Sequence, residues 1–152
     1  MSEQKKDPYV SGLHVSLGKL KKQDIRGTMV GVAEGVANDR GLNLMPQRQR
    51  VLQKNEIHEL QTTDEVDAEP GRTVNKVGII GFVEITQGGV IGVGDTVFIN
   101  DREIGKVIGF DETHFPNHYN FVLFSVERNT GIGLGLHVGD NVRIASLGEK
   151  TC

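Results

Sequence analysis

Apolar residues in this chain recur at every second position, and that period limits the fold more than any other feature. A period of two places side chains alternately on the two faces of a strand. No stretch carries a convincing helical period. Val93-Gly94-Asp95-Thr96-Val97-Phe98-Ile99 returns as Val138-Gly139-Asp140-Asn141-Val142-Arg143-Ile144, so both copies spell V-G-D-x-V-x-I. Glycine permits a turn, aspartate can accept hydrogen bonds from backbone amides just beyond it, and the alternating apolar residues start a strand. Pro70-Gly71-Arg72-Thr73-Val74 is a degenerate third copy. Copies at unequal spacing do not make a tandem array, so the motif is a folding signal.

The remaining chain fits the same pattern. Leu13, Val15 and Leu17 alternate with His14 and Ser16, and Thr28 to Val36 is a valine-rich strand. Asn38-Asp39-Arg40-Gly41 is a turn, followed by extended pieces at Leu42 to Met45 and Arg50 to Leu60. Thr62 to Glu69 forms an acidic loop. Val74 to Ile85 has few polar positions on either face, which predicts a central strand covered on both sides. Asn100-Asp101-Arg102-Glu103 predicts a tight hairpin, because Asn and Asp tolerate positive φ. Strands over Glu103 to Phe110 and Tyr119 to Glu127, a turn at Gly131 to Gly135 and a last strand at Val142 to Ser146 complete the reading. The expectation is an all-β protein, a single small closed or nearly closed β-barrel of about six to eight strands with an N-terminal extension. Its boundaries are a flexible tail over 1–10, the barrel over 11–147 and a flexible C-terminus over 148–152. Closure also removes the exposed edges that valine- and isoleucine-rich strands otherwise present.

Composition narrows the function classes. The 152 residues carry a formal net charge of −3, so the chain has no general attraction for nucleic acid or anionic lipid. The basic run Lys19-Leu20-Lys21-Lys22 is local and reads as a solvated stretch. Aromatic residues make up 5% and are not interleaved with basic ones, which argues against a stacking platform for single strands. The single cysteine is the terminal Cys152, so no internal disulfide is possible, in agreement with a cytoplasmic setting. The N-terminus lacks the apolar core of a signal peptide, and no apolar run reaches the roughly 18 residues of a membrane span. Gly88 to Gly94 lacks the lysine of a phosphate loop, and Gly131 to Gly135 has the wrong spacing for a dinucleotide fingerprint.

Chemistry-bearing residues gather in one loop, Asp111-Glu112-Thr113-His114-Phe115-Pro116-Asn117-His118. Loops held by a rigid scaffold carry a large share of binding and catalysis. The i, i+4 spacing of His114 and His118 would put both rings on one helical face, but Pro116 between them argues for a loop. A loop can still converge His114 and His118 with Asp111 or Glu112 as a two-histidine, one-carboxylate site for a transition metal. In the structural alternative, Asp111, Thr113 and Asn117 cap the turn while the histidines pack or face water. Upstream, His58 lies in Glu56-Ile57-His58-Glu59-Leu60, where an acidic neighbour can fix its tautomer. The candidate ligand-binding residues are therefore Asp111, Glu112, Thr113, His114, Asn117, His118 and His58. The candidate metal ligands are His114, His118 and Asp111. His14 and His137 carry less signal.

The run Val107 to His118, together with Asn55 to Leu60, resembles a bacterial domain family of unknown function over roughly Thr28 to Val126, with the string Asp-Glu-Thr-His-x-Pro-Asn-His as its most specific part. That resemblance implies an accessory role in bacterial metabolism. The Gly-Val and Val-Gly-Asp turns are also similar to those of the glucitol/sorbitol-specific IIA component of the bacterial phosphotransferase system, a small β-barrel. Its phosphorylated histidine has no matching position in this chain. The leading expectation is a non-enzymatic accessory protein whose loop over 111–118 binds a small ligand, a metal or a partner protein. The alternatives are a histidine-dependent enzyme or phosphocarrier using His114, His118 or His58, and a structural barrel that self-associates as a homo-oligomer.

Overall fold

The computed structural model describes residues 22–115 and 117–146. The expected strand at Leu13 to Leu17, both flexible termini, Cys152 and Pro116 lie outside the described residues. Within them every regular element is a strand. No helix among them is long and apolar enough to cross a membrane.

Twelve strands run in order: β1 (Ile25–Val32), β2 (Val36–Ala37), β3 (Leu42–Asn43), β4 (Gln49–Leu52), β5 (Ile57–Thr63), β6 (Thr73–Val74), β7 (Val77–Gln87), β8 (Gly89–Gly92), β9 (Thr96–Ile99), β10 (Arg102–Asp111), β11 (Asn120–Phe124) and β12 (Asn141–Ala145). Seven of them pair in a ring, β1-β12-β9-β10-β11-β5-β7, and β7 returns to β1. The all-β, nearly closed barrel expected from the period-2 pattern is what forms. Every ring pairing is antiparallel except β11 with β5, which is parallel from Asn120↔Glu59 to Phe124↔Thr63.

The repeated motif explains two of the ring strands. Gly94 and Gly139 take φ of 98° and 97°, and β9 and β12 start two residues after them, beyond Asp95 and Asp140. Those two strands then pair with each other, Val142 opposite Ile99 and Ile144 opposite Val97. One detail differs from expectation. Each aspartate accepts from an amide three residues before it, Gly92 to Asp95 and His137 to Asp140, both at 2.8 Å. The carboxylates therefore tie the turn down from behind.

The hairpin between β9 and β10 has two loop residues, Asn100 and Asp101, with φ of 52° and 66°. Two consecutive positive values give the primed turn that suits the strand twist. The extended piece expected at Arg50 to Leu60 is broken. Asn55 adopts φ of 82° and turns the chain, which separates β4 from β5. Strand β5 also continues to Thr63, past the start of the expected acidic loop. Both threonines are buried, and their hydroxyls donate to backbone carbonyls, Thr62 to Asn129 at 2.8 Å and Thr63 to Lys76 at 2.5 Å.

Alternation assigns the two faces. Phe121 and Leu123 of β11 join Leu60, Phe110, Met29 and Ile80 inside the ring. Val122 between them points outward and packs with Leu42, Leu44, Val74 and Val77. The small β3–β6 pair therefore roofs the outer face of β10 and β11. Central strand β7 is buried along most of its length, as its sequence predicted.

Candidate functional site

Strands β5 and β11 are parallel, so their first residues lie at the same end of the ring, where β10 finishes. The segment 112–119 closes that end. Its anchor is Asp111, which is 1% exposed. One carboxylate oxygen accepts from the Asn43 amide and the Thr113 hydroxyl, each at 2.9 Å. The other accepts from the Thr113 amide at 3.1 Å and the Asn120 side-chain amide at 2.9 Å. Four donors occupy a carboxylate that has about four acceptor positions.

That saturation corrects one expectation. Asp111 turns towards Asn43, Thr113 and Asn120, and the anticipated set of His114, His118 and Asp111 does not assemble. Among the described residues no group of three or more His, Cys, Asp or Glu side chains is placed to hold a metal ion. Asp111 and Thr113 act as the capping pair of the structural alternative. Glu112 is exposed, and its carbonyl accepts from the Phe115 amide.

The histidines do converge. The His114 carbonyl accepts from the amides of Asn117 and His118, so the loop makes a single helix-like turn outside any helix. The two rings stack with centroids 5.0 Å apart. His118 also meets the Phe82 ring edge-on, and its Nε2 lies 3.3 Å from the buried Glu59 carboxylate. Arg40 lies 3.4 Å from Nε2 of His114.

His58 is held more firmly. Its Nδ1 accepts from the Tyr119 amide at 3.1 Å, and its Nε2 lies 2.7 Å from Glu56. An acceptor at Nδ1 puts the ring proton on Nε2, where it donates to the carboxylate. The imidazole stacks on Phe121 with centroids 4.7 Å apart. Burial pulls the His58 pKa below its ordinary 6.5; the hydrogen bond and charge of Glu56 oppose this, while Arg50 and His118 add to it.

Between these groups lies a cleft of about 650 Å³. Arg50, Tyr119, His58 and Glu56 line it together with the apolar side chains of Ile57, Phe82 and Phe115. Asn55, Asn117 and His118 complete it. The Arg50 guanidinium carbon sits 3.5 Å from the Tyr119 ring centroid.

Of the residues singled out from sequence, His58, Asn117 and His118 line the cleft, and His114 flanks it through its stack on His118. Asp111, Glu112 and Thr113 belong to the anchored start of the loop. Sequence reading missed Arg50, Tyr119, Phe82 and the carboxylates Glu56 and Glu59. The i, i+2 spacing of Glu56 and His58 was a usable signal for their pair, whereas Glu59 meets the distant His118. Nothing local marks Arg50 or Phe82, which arrive from other strands.

Fold and site together define a small β-barrel protein with a polar, partly aromatic cleft at one end of the ring. Residues 19–145 match the model of a family of unknown function (DUF6917), and the chain belongs to that family. No curated protein and no solved structure is matched by the chain.

Proposed function

We propose that this protein is a small-molecule-binding barrel whose ligand enters the cleft beneath the loop over 112–119. The observation that carries the reading is the cleft itself, about 650 Å³ with an apolar side and a few oriented polar groups. That volume and mixed lining are typical of small-ligand sites. Two ends of the covering loop are fixed, by Asp111 at one and by the Tyr119 amide on His58 at the other. A prearranged site loses less ordering entropy when it binds.

The test is a fragment screen on the full-length protein followed by amide correlation spectra. Hits are expected to move the amide signals of Arg50, His58 and Tyr119 together. A screen whose hits move only amides remote from the cleft overturns the reading.

A second reading, acid–base or phosphocarrier chemistry, draws support from the His118–Glu59 pair at the cleft. His58 fits it poorly, because Nδ1 and Nε2 are both engaged within the protein. Acid-labile phosphate on His118 after incubation with phosphotransferase components would favour that second reading.

A further inference from the structure

Among the described residues, no Asp or Glu forms an ion pair with Arg50. Its guanidinium lies over Tyr119, and its Nε is buried with no hydrogen-bond partner in the chain. A buried donor left unpaired costs free energy, all the more when it belongs to a charged group. The same guanidinium lines the cleft. Stacked on an aromatic ring, it is already ordered, and its planar set of N–H donors matches the geometry of a carboxylate.

Two further observations restrict the partner. Glu56 lines the same cleft, and Glu59 lies against His118 of its lining, so the neighbourhood already holds carboxylates. One guanidinium in that setting suits a singly charged anion better than a dianion. Beside it, Ile57 and Phe115 are 43% and 56% exposed, and Phe82 is half-buried against the same cleft. Exposed apolar side chains next to a cation ask for a ligand with an apolar body and one charged end.

We infer that the cleft takes a small organic monocarboxylate, its carboxylate on Arg50 and its apolar or aromatic body against Ile57, Phe82 and Phe115. This inference rests on the cleft reading and adds the chemical class of the ligand.

The test uses the full-length protein and three probes: phenylacetate, its neutral isostere phenylacetamide, and inorganic phosphate. Phenylacetate is expected to shift the amide signals of Arg50, His58 and Tyr119. Its binding should weaken about tenfold or more in Arg50→Gln, with partial recovery in Arg50→Lys, which keeps the charge but loses the planar fork. If phenylacetamide binds the wild-type cleft as well as phenylacetate does, the monocarboxylate inference fails while the cleft reading stands. Unchanged phenylacetate binding in a folded Arg50→Gln variant has the same meaning. Phosphate displacing phenylacetate would point to a dianion and overturn the inference. No response to phenylacetate also overturns it, and the cleft reading is then decided by the fragment screen alone. Should Arg50→Gln not fold, the contrast between phenylacetate and phenylacetamide on the wild-type protein decides the matter.

Discussion

The backbone amide of Tyr119 donates to Nδ1 of His58 over 3.1 Å, which joins the end of the covering loop to the second residue of β5. This contact fixes a tautomer. With Nδ1 committed as acceptor, the ring stays neutral and donates from Nε2 to Glu56. Protonation would place an N–H against the Tyr119 N–H and break the link.

A pH dependence follows from that neutral ring. The folded protein holds the His58 pKa below 6.5, while the unfolded chain titrates near that ordinary value. As pH falls through this window the unfolded state binds the proton first, so stability declines with falling pH and the decline ends at the folded pKa. Denaturant unfolding between about pH 7.5 and about pH 5.5 should show the loss, and a folded His58→Gln variant should show less of it. Equal slopes in both proteins would detach the effect from His58.

Asp111 should behave as a structural residue. Replacing it with Ala strands the donors of Asn43, Thr113 and Asn120, at a cost of about 3 kcal/mol or more. Asp111→Asn, nearly the same shape, should still lose about 2 kcal/mol, because one side of the amide turns donors towards donors. Urea unfolding measures both. Loss of transition-metal uptake with no loss of stability would instead make Asp111 a ligand.

Gly81 on β7 has φ of 144°, and a Cβ there would collide with the carbonyl oxygen of Gly31 on β1. Those two strands close the ring. Gly81→Ala is therefore expected to cost about 3 kcal/mol or more and to loosen the β1–β7 seam first. Hydrogen exchange should show Met29 to Val32 losing protection ahead of β10 and β11. Uniform loss across the barrel would place the strain elsewhere.

Lys22 and Asp95 form a buried ion pair at 2.6 Å, with side chains 8% and 1% exposed. Lys22 also donates to the Val90 carbonyl at 2.6 Å, and Asp95 accepts from the Gly92 amide at 2.8 Å. Removing one partner of such a pair leaves a buried charge, so Lys22→Met is expected to destabilise by roughly 3 kcal/mol. The double variant Lys22→Met/Asp95→Asn should recover part of that loss. A double-mutant cycle by urea unfolding provides the check.

Local signals carried much of the architecture. The V-G-D turns, the Asn100-Asp101 hairpin and the continuous apolar run of β7 depend on near neighbours in the chain, so they are legible in order. Asn55 was the local exception. It is a lone positive-φ residue in the polar run Gln53-Lys54-Asn55-Glu56, with no glycine or proline beside it to mark the turn, and that is why β4 and β5 read as one extended piece. The loop over 111–118 was legible as a candidate region from its side chains. Its internal division was not, because whether Asp111 faces the histidines or the donors of Asn43 and Asn120 depends on β3 crossing over it.

By itself, the sequence determined that this chain would be all-β and that glycine and aspartate would precede its strands, and it singled out His58, His114 and His118 as candidates. Only the tertiary structure decided that β11 would lie parallel to β5. That one pairing brings Tyr119 to His58, His118 to Glu59 and the covering loop over Arg50. The physical reason is range. Turn chemistry acts over a few residues, whereas the cleft is made by contacts between residues 59, 61 and 69 positions apart, which only the closed ring brings together.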